Sequence, residues 1–300
     1  MRSTFKNKLY SYKHVVDNEL LNIYPSGPKL IKNPINHVIT GGKRLRPSLC
    51  LLIYNAFNKD ISKALIPAIS IELLHLFSLV HDDIMDNDDL RHSKKTIHKK
   101  WNVPVAILAG DSILALAFKR LNSADNSIKE LFNSALIAVC EGQALDIEYE
   151  LSDNISEEEY FNMIDLKTGH MLGLSAQLGG ILSSLSIKEQ LKLKKYGTLI
   201  GRAFQIQDDI LEVMSDSSVM GKSLDSDFIL GKKTFLMIQA KKKFPIAFKE
   251  IINQSKQDYC LSIKSYKKLI VDNNVIDYSV NYVNKTYNEA ANLVDGILPN

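Results

Sequence analysis

Two acidic clusters stand where a folding chain has least reason to keep acids. The segment Ile71-Glu-Leu-Leu-His-Leu-Phe-Ser-Leu-Val-His81 is apolar nearly all round and runs directly into Asp82-Asp83-Ile84-Met85-Asp86-Asn87-Asp88-Asp89. Five carboxylates in these eight residues repel one another, and at the end of a helix they also face the negative pole of its dipole. Asp82 and Asp86 are four residues apart, so on a helix both project from one face. A second cluster repeats the arrangement: Leu199–Gln207 is largely apolar, and Asp208-Asp209-Ile210-Leu211-Glu212 follows at once. Taken alone, either cluster could be a solvated helix end. As a pair, both following buried-looking helices, they are better explained by a shared site for Mg²⁺. That hard cation takes carboxylate oxygens and completes its octahedron with water and phosphate.

The basic residues have a matching distribution. Gly41-Gly42-Lys43-Arg44-Leu45-Arg46-Pro47 is a Gly-Gly turn entering a helix, which leaves free backbone N–H groups near Lys43 and Arg46 and makes an anion site. Arg contributes a planar fork for phosphate oxygens and Lys a point charge. His75 lies seven residues before Asp82, about two turns along the same face. Arg91-His92-Ser93-Lys94-Lys95-Thr96 follows the first acids, and Lys167-Thr168 lies mid-chain. A Gly-spaced basic loop from Gly221-Lys222 to Gly231-Lys232-Lys233 follows the second acids. Individually such residues serve surface ion pairs, and a lone histidine in an apolar helix is a satisfied core residue. Around two acidic clusters they complement a diphosphate.

The elements that must position these groups are helices. No proline falls between Val105 and Phe244, and apolar residues recur every three or four positions in Ile128–Leu151, Tyr160–Leu182 and Ile187–Val213. Ser156 with Glu157-Glu158-Glu159 predicts an N-cap with a capping box, and Pro47 and Pro104 suit first turns. With no repeat, linker tract or composition shift, residues 1–300 are expected to form a single domain of ten or more helices, those after about residue 245 lying outermost. A net charge of +3 is too small to imply nucleic acid. Three widely spaced cysteines, Cys50, Cys140 and Cys260, fit neither a disulfide framework nor a metal knuckle. There is no secretory N-terminal stretch and no uninterrupted apolar run of about 18 residues, so a cytoplasmic protein without a transmembrane segment is expected.

On the Gly-Gly-Lys-Arg-Leu-Arg-Pro motif and the two aspartate-rich motifs, in that order and spacing, the sequence resembles the trans-prenyl diphosphate synthases (polyprenyl synthetases) over about Ile39 to Gln239. The resemblance implies an all-α fold, a large helical bundle around a deep central cavity of the isoprenoid synthase type, forming a homodimer. It implies joining of an allylic diphosphate to isopentenyl diphosphate with several Mg²⁺ ions per site. Asp82, Asp86 and Asp208 match the metal ligands, supported by Asp83 and Asp209. Arg91, Lys167, Thr168, Gln205, Lys222 and Lys232 match positions that hold the allylic diphosphate or its metals. Lys43, Arg46 and His75 match those that hold isopentenyl diphosphate.

Three departures stand out. Where the family has Arg-Arg-Gly-x-Pro-Thr, this chain has Arg91-His92-Ser93-Lys94-Lys95-Thr96, so His92 replaces an arginine that would grip isopentenyl diphosphate. Glu212 ends the second cluster where Asp is usual. The C-terminus lacks the basic tail of some farnesyl-making members. Phe77, five residues before Asp82 and about 7.5 Å down the helix, would meet a product growing from the metal end. With the small Ser78 beside it and no insertion within Asp82–Asp86, the pattern resembles archaeal-type geranylgeranyl diphosphate synthases, with C20 expected first and C15 second. A class I terpene cyclase would share the fold and an aspartate-rich site, and a weakly active modifier subunit would fit the departures at His92 and Glu212.

Overall fold

The computed structural model describes residues 2–24, 26–152, 154–214, 232–255 and 258–298. The helices in chain order are α1 (Arg2–Leu21), α2 (Lys29–Val38), α3 (Leu45–Phe57) and α4 (Ser62–Met85), then α5 (Ile97–Lys100), α6 (Val103–Arg120) and α7 (Asn126–Glu150). They continue as α8 (Glu157–Ile164), α9 (His170–Leu182), α10 (Ile187–Met214), α11 (Phe235–Lys243), α12 (Pro245–Ser255), α13 (Tyr259–Asp272) and α14 (Val275–Val294). Lys222, with the whole stretch 215–231, lies outside the described residues.

The all-helical expectation holds, and the reason is clearest at α4. Its side chains from Ala64 to Val80 are buried on nearly every side, because α1, α3, α5, α6, α7 and α9 all touch it. A helix enclosed in this way must be apolar all round. By length and composition α4 could cross a membrane, yet 67% of its most apolar stretch is buried inside the fold. It is a core helix, and its charged end is carried inward with it.

Local signals in the sequence are realised where side chains reach the backbone. Ser156 accepts from the Glu159 N–H, and the Glu159 carboxylate accepts from the Ser156 N–H. Pro47 and Pro104 sit in the first turns of α3 and α6. The expected continuous helix Tyr160–Leu182 differs in one respect: α8 and α9 are joined by a π-helical turn at Asp165–Gly169. The extra residue of such a turn re-aims the side chains it carries, here Lys167 and Thr168. Gly142 of α7 lies against it, where a Cβ would stand 2.4 Å from the Lys167 backbone nitrogen. Only a glycine allows that approach.

One element was not anticipated. Leu90–Arg91 (β1) and Lys94–Lys95 (β2) form a two-residue antiparallel ladder. Its turn residues His92 and Ser93 both have positive φ, 51° and 61°, as a type I′ hairpin requires. The left-handed region costs a non-glycine residue roughly 1 kcal/mol or more, and a glycine gives part of that back through the entropy of the unfolded chain. Ser93→Gly is therefore expected to stabilise the fold by about 0.5–1 kcal/mol, read as a higher urea midpoint at unchanged slope.

Candidate active site

α3, α4, α7, α8, α9, α10 and the β1–β2 hairpin enclose a cavity of about 590 Å³. Every sequence-predicted site residue within the described part lines it: Lys43, Arg46, His75, Phe77, Ser78, Asp82, Asp86, Arg91, His92, Lys167, Thr168, Gln205, Asp208 and Lys232. Glu212 does so too. The two acidic pairs, 126 residues apart in sequence (Asp82 to Asp208), therefore open onto one space.

At the acidic end, positive charge from the chain itself compensates the carboxylates. Lys167 Nζ is 3.2 Å from Asp82 Oδ1 and 2.6 Å from Asp146 Oδ2. Lys232 Nζ is 2.6 Å from Asp86 Oδ2 and 3.9 Å from Asp146 Oδ2. Burial disfavours the charge on Asp82, but Lys167, Lys232 and Arg91 outweigh it and hold the carboxyl below its ordinary value. Asp86 moves the other way, raised by burial and by the neighbouring Asp82 charge despite Lys232. Asp82 Oδ1 is buried, with the Lys167 ammonium beside it.

Asp83 and Asp209 are turned to supporting contacts. Arg91 donates through Nε to Asp83 Oδ1 at 2.7 Å and through Nη2 to Asp88 Oδ2 at 2.9 Å. Burial nonetheless pushes the Asp83 carboxyl up to about 6. Asp209 accepts from the Tyr160 hydroxyl at 2.8 Å, the Phe235 N–H at 3.1 Å and Gln205 Nε2 at 3.3 Å. Gln205 in turn accepts from the Thr168 hydroxyl at 3.2 Å. One buried carboxylate thus orients a chain of polar groups that ends in the cavity.

The opposite corner is basic. Gly41 and Gly42 have φ of 111° and 80°, which admits the turn, and the His92 ring packs against them. The Arg44 guanidinium is taken up by a buried ion pair with Glu72 at 2.7 Å and a second with Asp17 at 2.8 Å, and donates to the Ile39 carbonyl. Lys43 stays exposed at the rim, its Nζ 6.0 Å from the centroid of the Phe204 ring. Arg46 Nη1 lies 3.0 Å from His75 Nε2. Burial draws the Arg46 pKa down to about 10, against Glu72 and Asp208, so it stays charged. Burial and then Arg46, Arg91 and Arg44 hold His75 well below its ordinary value. The neutral ring accepts from arginine at Nε2 and carries its proton on Nδ1. Both that Nδ1 and Arg46 Nε are buried donors without a partner. Burial, then Arg91, Arg44, Lys43 and Lys94, lower the His92 pKa from its ordinary value, so it contributes shape here and no charge.

Sequence reasoning misses Asp146, which holds Lys167 and Lys232. A single acid three residues after Gln143 on an otherwise mixed helix carries no signal until the fold brings the π turn against α7. Among the described residues no three His, Cys, Asp or Glu side chains converge closely enough to hold an ion alone. That fits Mg²⁺, which is bound through one or two carboxylates with water and phosphate oxygens filling the rest. The donors present are hard carboxylate oxygens facing a cavity with basic residues at its other corner.

Comparison with known proteins agrees with this architecture. Residues 28–269 match the family model described as polyprenyl synthetase. The chain is 39% identical over 232 residues to a short chain isoprenyl diphosphate synthase of Methanocaldococcus jannaschii, covering 76% of this chain and 71% of that one. It is 36% identical to a geranylgeranyl diphosphate synthase of Sulfolobus acidocaldarius, covering 91% and 86%. The crystal structure of a heptaprenyl diphosphate synthase from Staphylococcus aureus superposes with a TM-score of 0.90 at 30% identity, over 97% of this chain and 93% of that one.

The neutral state of His75 has a consequence for stability. An ordinary histidine gains a proton near pH 6.5 in the unfolded chain, whereas buried His75 resists it. Its contribution is complete above that value and is lost as pH falls through the depressed folded value. Between pH 7.5 and 5.5 the urea midpoint of the protein should fall more than that of His75→Gln, which keeps an acceptor for Arg46 and removes the titration. Equal falls would contradict the assignment.

Proposed function

The chain belongs to the polyprenyl synthetase family and is a trans-prenyl diphosphate synthase, and we propose that it makes mainly the C20 product, geranylgeranyl diphosphate, using the cavity residues in the roles set out here. The family joins an allylic diphosphate to isopentenyl diphosphate and works with Mg²⁺. In this reading Asp82, Asp86 and Asp208 hold Mg²⁺, which when bound supplies positive charge against the departing diphosphate. Lys167, Lys232 and Arg91, with Lys222 and the Thr168–Gln205 pair, grip the allylic diphosphate. Lys43, Arg46 and His75 grip isopentenyl diphosphate through the exposed ammonium, the unpartnered Nε and the Nδ1 proton.

The observation that carries the reading is the convergence on one cavity of two unmet donors, Arg46 Nε and His75 Nδ1, and of the acids Asp82, Asp86 and Asp208 opposite them. Buried polar atoms without partners are rare enough to call for an explanation, and two diphosphates with their cations supply one. The allylic C–O bond breaks and its electron pair leaves with diphosphate. The double bond of isopentenyl diphosphate then forms the new C–C bond to the carbocation, and a proton is lost. What the protein contributes is proximity and dryness, with Phe204, Leu76 and Met171 among the lining side chains. A terpene cyclase has no use for the second diphosphate corner. We also propose that residues 1–300 act as one domain and pair as a homodimer, a reading supported by exposed Val103, Ile107 and Leu108 on one side of α6.

Incubation with Mg²⁺, labelled isopentenyl diphosphate and dimethylallyl, geranyl or farnesyl diphosphate in turn should give mainly C20, with C15 second. EDTA and Asp82→Ala should each abolish turnover, a loss of about 10³-fold or more for removing a group that stabilises developing charge. Consumption of an allylic diphosphate without isopentenyl diphosphate would favour the cyclase, and turnover only on adding a partner chain would favour the modifier subunit.

Phe77 is buried, lines the cavity and sits five residues below Asp82 on α4. Phe77→Ala should shift products beyond C20 at a similar total rate, read by reversed-phase separation of the dephosphorylated alcohols. An unchanged distribution would move the floor elsewhere.

A further inference from the structure

The floor of the cavity has a second layer. The His81 ring lies against Phe77 in an edge-on contact, with centroids 4.7 Å apart and planes at 62°, and His81 itself lines the cavity. Behind it, on α6, is Gly110, which is buried and does not reach the cavity. A Cβ at position 110 would stand 2.3 Å from His81 Nε2 and 2.5 Å from Cδ2, well inside van der Waals contact. The imidazole therefore occupies a notch that exists only because residue 110 has no side chain. Its Nε2 edge is turned toward α6, where Asp111 Oδ1 lies 3.7 Å away, and Nε2 has no hydrogen-bond partner. No hydrogen bond at that atom accounts for the ring's place; the fit to the notch does.

We infer that Gly110 is a specificity-determining positioning residue, which sets product length by letting the His81 ring withdraw from the cavity and seat Phe77. A side chain at 110 cannot push α6 away cheaply, because Ala106, Ala109 and Ile113 pack that helix into the core with no exposure. The ring is the movable part, and it moves toward Phe77 and the space where the growing chain ends. This inference rests on the product-length reading of Phe77.

The test uses the full chain with Mg²⁺, isopentenyl diphosphate and each allylic starter, comparing Gly110→Ala, His81→Ala, the double variant and Phe77→Ala by product distribution. Gly110→Ala is expected to raise the C15-to-C20 ratio about tenfold or more, the discrimination that one methylene-sized volume carries in an apolar pocket. His81→Ala should extend products, and the double variant should follow His81→Ala, since without the ring there is nothing to displace. An unchanged ratio in Gly110→Ala, or a shortening that persists in the double variant, overturns the inference. If Gly110→Ala does not accumulate as folded protein, His81→Trp enlarges the ring against the same notch, and it must shorten the product for the inference to stand. A responsive Phe77→Ala beside an unresponsive Gly110→Ala sinks this inference alone, whereas an unresponsive Phe77→Ala sinks the product-length reading beneath it.

Discussion

Everything at this site follows from keeping carboxylates ionised inside an apolar hollow. Moving a carboxylate out of water costs several kcal/mol even after the protein relaxes, and α4 brings Asp82 and Asp86 in together. The chain offsets the cost with Lys167 and Lys232, tied to each other through Asp146. A buried ion cluster of this kind is weak evidence for stability. Its value lies in the fixed direction of its charges: acid oxygens face the space where a cation can join them, and ammonium groups stand ready for phosphate. The opposed shifts of Asp82 and Asp86 are the electrostatic mark of two acids sharing insufficient compensation.

At the basic corner a scaffold residue, Arg44, stands between two residues proposed to hold ligand, Lys43 and Arg46. Arg44 is consumed by Glu72 and Asp17, and its left-handed backbone, φ 54°, turns its side chain out of register with its neighbours. Lys43 and Arg46 are left facing the cavity. A buried arginine with satisfied partners anchors the Gly-Gly turn to α4, and that anchoring holds Arg46 over His75. Removing Glu72 would leave Arg44 with Asp17 as its remaining acid partner and one buried fork nitrogen unmet, so the integrity of this corner depends on a buried acid of α4.

What could be read from the residues was what local rules dictate. Helices followed from three- and four-residue periodicity, the Ser156 cap from its capping box, and the acid pairs from their contrast with the apolar runs before them. What could not be read needed tertiary contact. The π turn at Asp165–Gly169 has no periodicity signature, because it exists to pass the backbone across Gly142. Asp146 is one acid on a mixed helix until Lys167 and Lys232 reach it. The β1–β2 hairpin has His92-Ser93 where a type I′ turn favours glycine or asparagine, so the usual turn signal was missing. Gly110 carries no local signal, and the role proposed for it depends on a ring from another helix.

On the proposed reading, product length is a separate problem from catalysis. Asp82 and Phe77 ride on one buried helix, so the distance between the reacting end and the floor is set by helical rise, about 7.5 Å for five residues, and cannot drift with loop motion. A rigid ruler of this kind leaves only side-chain volume to vary. The side chains proposed to vary it are Phe77 and His81, which both line the cavity, and behind them the absent side chain of Gly110. Each layer further out touches the substrate less and can change without disturbing the carboxylates. On this reading, related enzymes can share nearly the same backbone while differing in the length of what they make.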